Sequence, residues 1–445
     1  MQLRLIALVF LMPAAVMLAF AQGKTLTIDQ AKQIALERNL DVIQAQSNLQ
    51  ASGSGVTAAY GRYLPSVSGS GGWTRSQSEG AIYTQGIPIP GSSAKRTDGS
   101  FNAGLSASLL LFDGFDREAN LNRANASAAI GEYTVTRTRQ SIVFQVESSY
   151  LNVLRREQLV RVTEENLKRD RRQLERITES NRVGALSLAD VYRQQSQVAT
   201  DELGLITAQN DYNKTKADLV ALIGLNVADE YEFADPITTA TLDSTELVQT
   251  LAKYRDLAML TNRALISRPD FLGARKNFDA SESGVTSAKS NYFPSLSASA
   301  SFGATNEEFN RLFTYKTISW GVRMSWTLFD GFATNQGVQN ALASRRNAEI
   351  NVAQSERNIG VELKKAMLDL EAAMKQYEVS QKGLVSASED RKIAEERYNL
   401  GAGTLLDLLV ANAGLVNAEA NLVNASYNYI ISKRNLEYVL GERVY

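Results

Sequence analysis

The chain states its plan twice. Leu111-Phe112-Asp113-Gly114-Phe115 returns as Leu328-Phe329-Asp330-Gly331-Phe332, a shift of 217. The same shift pairs Gly184-Ala185 with Gly401-Ala402, Asp190 with Asp407, Tyr212 with Tyr429 and Gly224 with Gly441. Upstream the shift is 229: Ser54-Gly55-Val56 matches Ser283-Gly284-Val285, and Tyr63-Leu64-Pro65-Ser66 matches Tyr292-Phe293-Pro294-Ser295. The two shifts differ by 12, so the first copy carries 12 extra residues between Pro65 and Asp113. The Gly/Pro/Ser-rich run Gly86 to Ser93 is the expected site, read as a loop. A duplicated block of this length restricts the chain to two similar halves, each incomplete without the other.

Each copy reads as helix, Y-x-P-S, two strands, L-F-D-G-F, long helix, Gly turn, helix. Repeat 1 covers 22–224, with a β-hairpin at 66–112, a long helix at 115–183 and a returning helix at 187–223. Repeat 2 covers 254–445, with a β-hairpin at 295–329, a long helix at 332–400 and a returning helix at 404–440. Residues 225–253, with Pro236 and a Thr-rich run, form the linker. Residues 1–21 read as a signal peptide: Arg4, an apolar run from Leu5 to Phe20, and the A-x-A pattern Ala19-Phe20-Ala21.

The helical segments carry a seven-residue seam. Val146, Val153, Val160, Leu167 and Leu174 are spaced by seven, as are Val191, Val198, Leu205, Tyr212 and Leu219. In the second copy Leu363, Met367, Leu370, Met374 and Tyr377 alternate by four and three, and Leu408, Leu415, Leu422, Tyr429 and Leu436 again step by seven. Such a period predicts coiled-coil packing with left-handed supercoiling. A helix over 115–183 would reach roughly 100 Å at 1.5 Å per residue, a length suited to crossing a wide aqueous gap.

Between the helices the period changes to two. Phe101, Ala103, Leu105, Ala107, Leu109 and Leu111 alternate with Asn102, Gly104, Ser106 and Ser108; Trp320, Val322, Met324, Trp326 and Leu328 alternate with Gly321, Arg323, Ser325 and Thr327. Leu296 to Gly303 alternates likewise, and Val67 begins a fourth strand. Strands of about 10 residues, apolar on one face and small or polar on the other, suit a bilayer-spanning barrel with a wet lumen. The polar phase holds Ser, Gly and Thr where a soluble sheet would show Lys and Glu, and Tyr60, Tyr63, Phe112, Tyr292, Phe293 and Phe329 cluster at strand ends as an interface girdle does. Four strands cannot close a barrel, and unpaired backbone in lipid costs several kcal/mol per group. The chain is therefore expected to pool strands with identical copies. Physics alone leaves two or three copies open.

Composition narrows the chemistry. The 445 residues include no Cys and no His and carry a net charge of -1. Thiolate or imidazole zinc sites and Ser-His-Asp or Cys-His nucleophiles are excluded within one chain. No enzyme, cofactor, metal or nucleic-acid partner is expected, and the basic run Lys168 to Arg172 reads as a solvated helix face.

The paired Y-x-P-S and L-F-D-G-F segments and the two Gly turns together resemble the TolC-type outer-membrane efflux protein family across nearly the whole chain after residue 21. The resemblance implies a mixed α/β membrane protein: a homotrimer whose four strands per chain make a 12-stranded antiparallel β-barrel in outer-membrane lipid, continuous with a long coiled-coil α-helical barrel in the periplasm. It implies a passive channel-tunnel for tripartite efflux or type I secretion, working with a periplasmic adaptor (membrane fusion) protein and an inner-membrane pump. It places adaptor-contact tips at Gly184, Ala185, Leu186, Ser187 and Asp190, and at Gly401, Ala402, Gly403, Thr404 and Asp407. The charged run before the second tip offers a candidate periplasmic gate: Glu389, Asp390, Arg391, Glu395, Glu396 and Arg397. The helix-barrel junction falls at Pro65, Asp113, Gly114, Pro294, Asp330 and Gly331. With the sequence ending at Tyr445, residues 225–253 are expected to supply the equatorial belt around the tunnel. The competing reading is a periplasmic coiled-coil structural or adhesin-type protein.

Overall fold

In each half the chain turns from helix to strand at a proline and back to helix at a left-handed Gly-Phe pair. A computed structural model describes residues 24–233, 249–250 and 252–442. The expected signal segment and most of the linker lie outside the described residues. The first half runs β1 (Lys24–Leu26), α1 (Ile28–Arg38), α2 (Leu40–Gly61), β2 (Ser66–Thr84), β3 (Ile87–Phe112), α3 (Asp116–Arg182), α4 (Leu188–Ile223) and β4 (Tyr231–Phe233). The second runs α5 (Leu257–Ser267), α6 (Pro269–Ser290), β5 (Ser295–Asn306), a 3-10 turn, β6 (Lys316–Ser325), α7 (Ala333–Asn399) and α8 (Leu405–Leu440).

The sheet has the order β2-β3-β5-β6 and is antiparallel throughout. Each hairpin comes from one copy, and β3 pairs with β5 to join them, with Leu105 opposite Phe302 and Ser108 opposite Ser299. Ser faces Ser along one phase, with hydroxyl contacts at Ser66–Ser108, Ser68–Ser106 and Ser301–Ser319 of 2.7, 2.8 and 2.7 Å. On the other phase Trp320 is 85% exposed, and Ile318, Val322 and Met324 stand out beside it. Among the described residues, the outer edges of β2 and β6 have no strand beside them.

The first hairpin departs from the sequence expectation. β2 and β3 are 19 and 26 residues long, not about 10. Their ladder continues well past Phe101, the level where β5 ends opposite Asn306. Gly86 to Ser93 is not a free loop: Gln85 and Gly86, at φ 53° and 83°, turn the chain, Ile87 resumes the ladder opposite Thr84, and a bulge with Gly91 at φ 76° intervenes before Ser93 pairs with Ala81. Two consecutive positive-φ residues match the twist of the flanking strands. The prolines do not break β3, because it passes there as part of a two-stranded ribbon with a free side.

α3 and α7 are each 67 residues long. α3 packs against α2, α4, α6 and α8, while α7 packs against α6 and α8. The seams predicted from the sevenfold spacing are inside: Val146, Val153, Leu167, Val191, Val198 and Leu219 are buried, as are Leu363, Leu370, Tyr377, Leu408, Leu415 and Leu436. Each fully buried Leu or Ile of these clusters contributes about 1.5–3 kcal/mol. A feature absent from the sequence reading is the small parallel sheet of β1 with β4. It is clamped by Tyr150, whose hydroxyl donates to Leu26 O at 2.8 Å and whose ring meets Phe233 edge-on.

Candidate functional site

The junction between sheet and helices is built from the repeated motifs. Pro65 and Pro294 stand immediately before β2 and β5. Proline disfavours helix at the preceding residue and so fixes the switch to strand. On the return, Gly114 and Phe115 have φ 66° and 74°, and Gly331 and Phe332 have 65° and 69°. Asp113 accepts from Arg117 N at 3.2 Å, and Asp330 accepts from Thr334 N at 2.7 Å, so each carboxylate closes the first turn of its long helix. Beyond that the copies diverge. The Arg117 guanidinium is buried, donates to Leu110 O and Leu111 O at 2.6 and 2.8 Å, lies 3.3 Å from Asp113 and covers the Tyr63 ring. Its counterpart is Thr334, a short side chain that returns to Asp330. A Cβ on Gly114 would lie 2.5 Å from Ser290 O and 2.9 Å from Phe293 Cβ, whereas one on Gly331 would meet nothing within 4 Å.

At the far end, both tips close by the same backbone pattern. Gly184 N donates to Asn181 O and Ala185 N to Ser180 O; Gly401 N donates to Tyr398 O and Ala402 N to Arg397 O. This paired closure needs a left-handed residue, and Gly184 and Gly401 supply it at φ 77° and 72°. Ser187 and Thr404 cap the returning helices by accepting from Asp190 N and Asp407 N. Asp407 completes a capping box by accepting from Thr404 N at 3.0 Å, and the hydrogen bonds from Thr404 hold its carboxyl below the usual carboxylate range. Asp190 is paired with Arg193 at 3.0 Å. Ile177, Val191 and Leu405 form a small core that ties the two tips together, with Leu186 and Tyr398 against it. A groove of about 650 Å³ runs between the tips past Arg176, Glu179, Ala185, Leu186, Tyr398 and Asn399. Gly403 approaches Arg397 closely: a Cβ there would lie 3.2 Å from Arg397 Cβ.

The charged run on α7 separates into two groups. Arg391 and Glu395 are half-buried and paired at 2.9 Å, and Glu395 reaches Arg176 on α3 at 3.3 Å. Glu389, Asp390, Glu396 and Arg397 are exposed and outside that pair. The structure therefore brings two of the six together and leaves the other four on the surface.

The network goes on to residues that sequence reading missed. Arg391 Nε donates to Asn412 Oδ1 at 2.9 Å, and Asn412 Nδ2 donates to Asp170 Oδ1 at 3.1 Å. Asp170 is 1% exposed and adjoins Asp201 on α4. Burial and the Asp170 carboxylate push the Asp201 carboxyl up to about 7. The basic run Lys168 to Arg172 is thus not one solvated face: Asp170 is buried and Arg169 turns to Glu419, while Lys168, Arg171 and Arg172 stay outside. The signal was present in the spacing. Asp170 lies three residues after Leu167, and Asp201 three after Val198, so both occupy the inner slot of a seam.

Among the described residues no cluster of three or more metal-type side chains forms, and no helix is long and apolar enough to cross a membrane. The family model "Outer membrane efflux protein" matches residues 31–225 and 260–442. TolC of Escherichia coli is 22% identical over 352 residues, covering 76% of this chain and 69% of TolC. The probable efflux pump outer membrane protein TtgC of Pseudomonas putida is 25% identical over 427 residues, covering 93% of this chain and 82% of TtgC. The CmeC outer membrane channel of Campylobacter jejuni superposes with a TM-score of 0.78 at 18% identity, covering 93% of this chain and 85% of CmeC. Two matched blocks fall one in each repeat, and together they take in the four strands of the antiparallel sheet, the junctions and both tips. The chain belongs to the outer membrane efflux protein family, a family of outer-membrane channel proteins and not of enzymes.

Proposed function

We propose that three copies of this chain form a passive export duct, a 12-stranded barrel in the outer membrane opening into a helical tunnel through the periplasm. The observation that carries the reading is the pair of unpartnered sheet edges, β2 and β6, on a chain whose two hairpins are copies of each other. A sheet in lipid cannot keep open edges. The copy-to-copy pairing of β3 with β5 supplies the rule for closing them. Shifting Ser108 by 217 gives Ser325, and shifting Ser299 back by 229 gives Ser70. The β6 edge then meets the β2 edge of the next chain with Ser325 opposite Ser70, Met324 opposite Gly71 and Val322 opposite Trp73. This register sets polar phase on polar phase and apolar on apolar, a condition that an odd slip would violate.

The helices support the same arrangement. α3 joins the copies within the chain, touching α6 above and α8 below, while α2, α4 and α7 are the outer members of the helical layer. By the repeat, α7 should meet α2 and α4 of the next chain. It exposes Val361, Leu368, Val379 and Ile393, and α4 exposes Leu203 and Ile206, apolar surface of the kind an interface covers. In this reading the tips at Gly184–Asp190 and Gly401–Asp407 receive the hairpins of a periplasmic adaptor protein, with an inner-membrane pump below. Arg391, Glu395 and Arg176 hold the tunnel end narrow. Residues 225–253 form the equatorial belt, residues 1–21 direct export, and the Pro65/Asp113/Gly114 and Pro294/Asp330/Gly331 sites bend the wall from barrel to tunnel.

The native chain has no Cys, so paired cysteines report cleanly. Ser70→Cys with Ser325→Cys should give a covalent trimer ladder on oxidation or with a short bis-thiol reagent. Ser70→Cys with Gly321→Cys, four residues out of register, should not. Equal yields from the two pairs, or no intermolecular product from the first, would overturn the ring.

A further inference from the structure

Between the two tips and the helical core, three helices line a half-open pocket with polar groups on α3, α4 and α8, beside Leu409, Ala413 and Val416. α3 contributes Asn166 and Asp170, α4 contributes Gln197 and Asp201, and α8 contributes Asn412 and Asn417, around a volume of about 150 Å³. That volume exceeds what one water occupies, about 30 Å³.

Some of the donors around it are already committed. Asn412 Nδ2 is spent on Asp170 and Gln197 Nε2 on Asp201, at 3.1 and 3.0 Å. Asn412 Oδ1 is taken by Arg391. Arg169 on α3 is paired through one terminal nitrogen with Glu419 of α8 at 3.4 Å, while its buried Nε has no acceptor. Two acceptors remain without a partner: Asp201 Oδ2, and Oδ1 of Asn166, a side chain only 8% exposed. A buried acceptor left without a donor is destabilising, and two adjoining carboxylates repel each other. A proton shared by the carboxylates would relieve their repulsion but would leave the Asn166 oxygen unmet. A cation relieves all three at once.

We propose that this cavity is a binding site for a hard divalent cation of the calcium class, held by the carboxylates of Asp170 and Asp201 and the side-chain carbonyl of Asn166. The donor set is all oxygen, with no thiol or imidazole, which selects a hard ion. Two carboxylates and an amide oxygen leave room for water ligands, and calcium accepts six to eight oxygens in irregular geometry where magnesium demands an octahedron. The site lies within one chain, so it does not rest on the trimer. The three ligands come from α3 and α4 of the first copy, and α8 of the second lines the far side through Asn412 and Asn417.

The test is calorimetric titration of CaCl₂ into the detergent-solubilised full chain, with MgCl₂ as competitor. Wild type and Glu371→Gln, a half-buried carboxylate paired with Lys375 elsewhere on α7, should each bind one Ca²⁺ per chain. Asp201→Asn and Asp170→Asn should weaken that binding at least about tenfold, the lower range for losing a supporting group at a metal site. Asn166→Asp adds a third carboxylate and should tighten it about tenfold. That gain separates ligation from misfolding, and helical circular dichroism verifies the fold of the losses. Absence of saturable Ca²⁺ binding by wild type, or equal binding by Asp201→Asn, would show that the cavity holds only water and a proton and would overturn the assignment.

Discussion

Gly331→Ala isolates the proposed contact between subunits. Within one chain a Cβ at Gly331 meets nothing within 4 Å, so the substitution costs only the left-handed backbone, about 1–2 kcal/mol at φ 65°. The repeat equates Gly331 with Gly114, where a Cβ would sit 2.5 Å from Ser290 O and 2.9 Å from Phe293. Shifted back by 229, those wall residues become Gly61 and Leu64. In the proposed ring, Gly61 of the partner subunit and Leu64 of the partner subunit therefore stand where Ser290 and Phe293 stand at Gly114. Overpacking a filled site costs about 1–3 kcal/mol, and three interfaces multiply it to about 3–9 kcal/mol per trimer. At about 1.4 kcal/mol per decade, the assembly constant should fall on the order of a hundredfold or more. Sedimentation of the detergent-solubilised chain should show a helical monomer in place of the trimer. Gly114→Ala should instead destabilise the fold of the monomer itself. A Gly331→Ala chain that assembles as wild type would remove the partner wall and refute the equivalence of the two joints.

Arg117→Met should lower the stability of the junction by about 3–5 kcal/mol, because it strands a buried Asp113 and two carbonyls; urea unfolding followed by protease cutting near Phe112 measures it. Glu395→Ala with Glu396→Ala should raise single-channel conductance in planar bilayers through loss of the Arg176 and Arg391 pairs, and unchanged conductance and selectivity would remove this cluster from the gate. With a chelator present, Asp201 should make stability fall as pH rises from about 4 through 7, because its raised carboxyl binds the proton more tightly folded than unfolded. Solvent screening of this half-exposed group limits the effect to about 1–2 kcal/mol, and Asp201→Asn should flatten thermal melts across that range.

The parts of the fold legible in the sequence are those written as periodicities. Sevenfold steps from Val146 and Leu408 become buried seams, and twofold alternation at Phe101 and Trp320 becomes paired strands. Gly184 and Gly401 were readable because a tight helix ending requires positive φ, which glycine provides without strain. The length of the first hairpin was not readable. Gly86 to Ser93 has turn composition, but a two-residue turn at Gln85-Gly86 suffices, and the prolines are tolerated in a ribbon with a free side. β1 and β4 escaped because three residues carry no period. The Asp170–Asp201 pair escaped for another reason: Asp170 sits among four basic residues, and composition outweighed its place three residues past Leu167.

The divergence of the copies at the junction bears on the order of assembly. Within the chain, Asp116 ties the halves by accepting from Ser287 at 2.5 Å while pairing with Arg62 at 3.2 Å. The repeat carries Asp116 to Ala333, Ser287 to Ala58 and Arg62 to Asn291, so the proposed joint between chains lacks this bond entirely. Arg117, which anchors the first strand-to-helix turn, likewise becomes Thr334. The internal joint is held by directional bonds across the copies, while the proposed external one sets Ala333 against Ala58 and has no counterpart of them. A half-buried joint of directional bonds needs its partners aligned, which favours forming it inside one chain where they are tethered. A joint without those bonds tolerates stepwise approach by diffusion. The chain is thus built to fold first across its own repeat and to close the ring afterwards, so Asp116→Ala should slow appearance of the folded monomer more than its conversion to trimer. Equal slowing of both steps in a stopped-time cross-linking course would contradict that order.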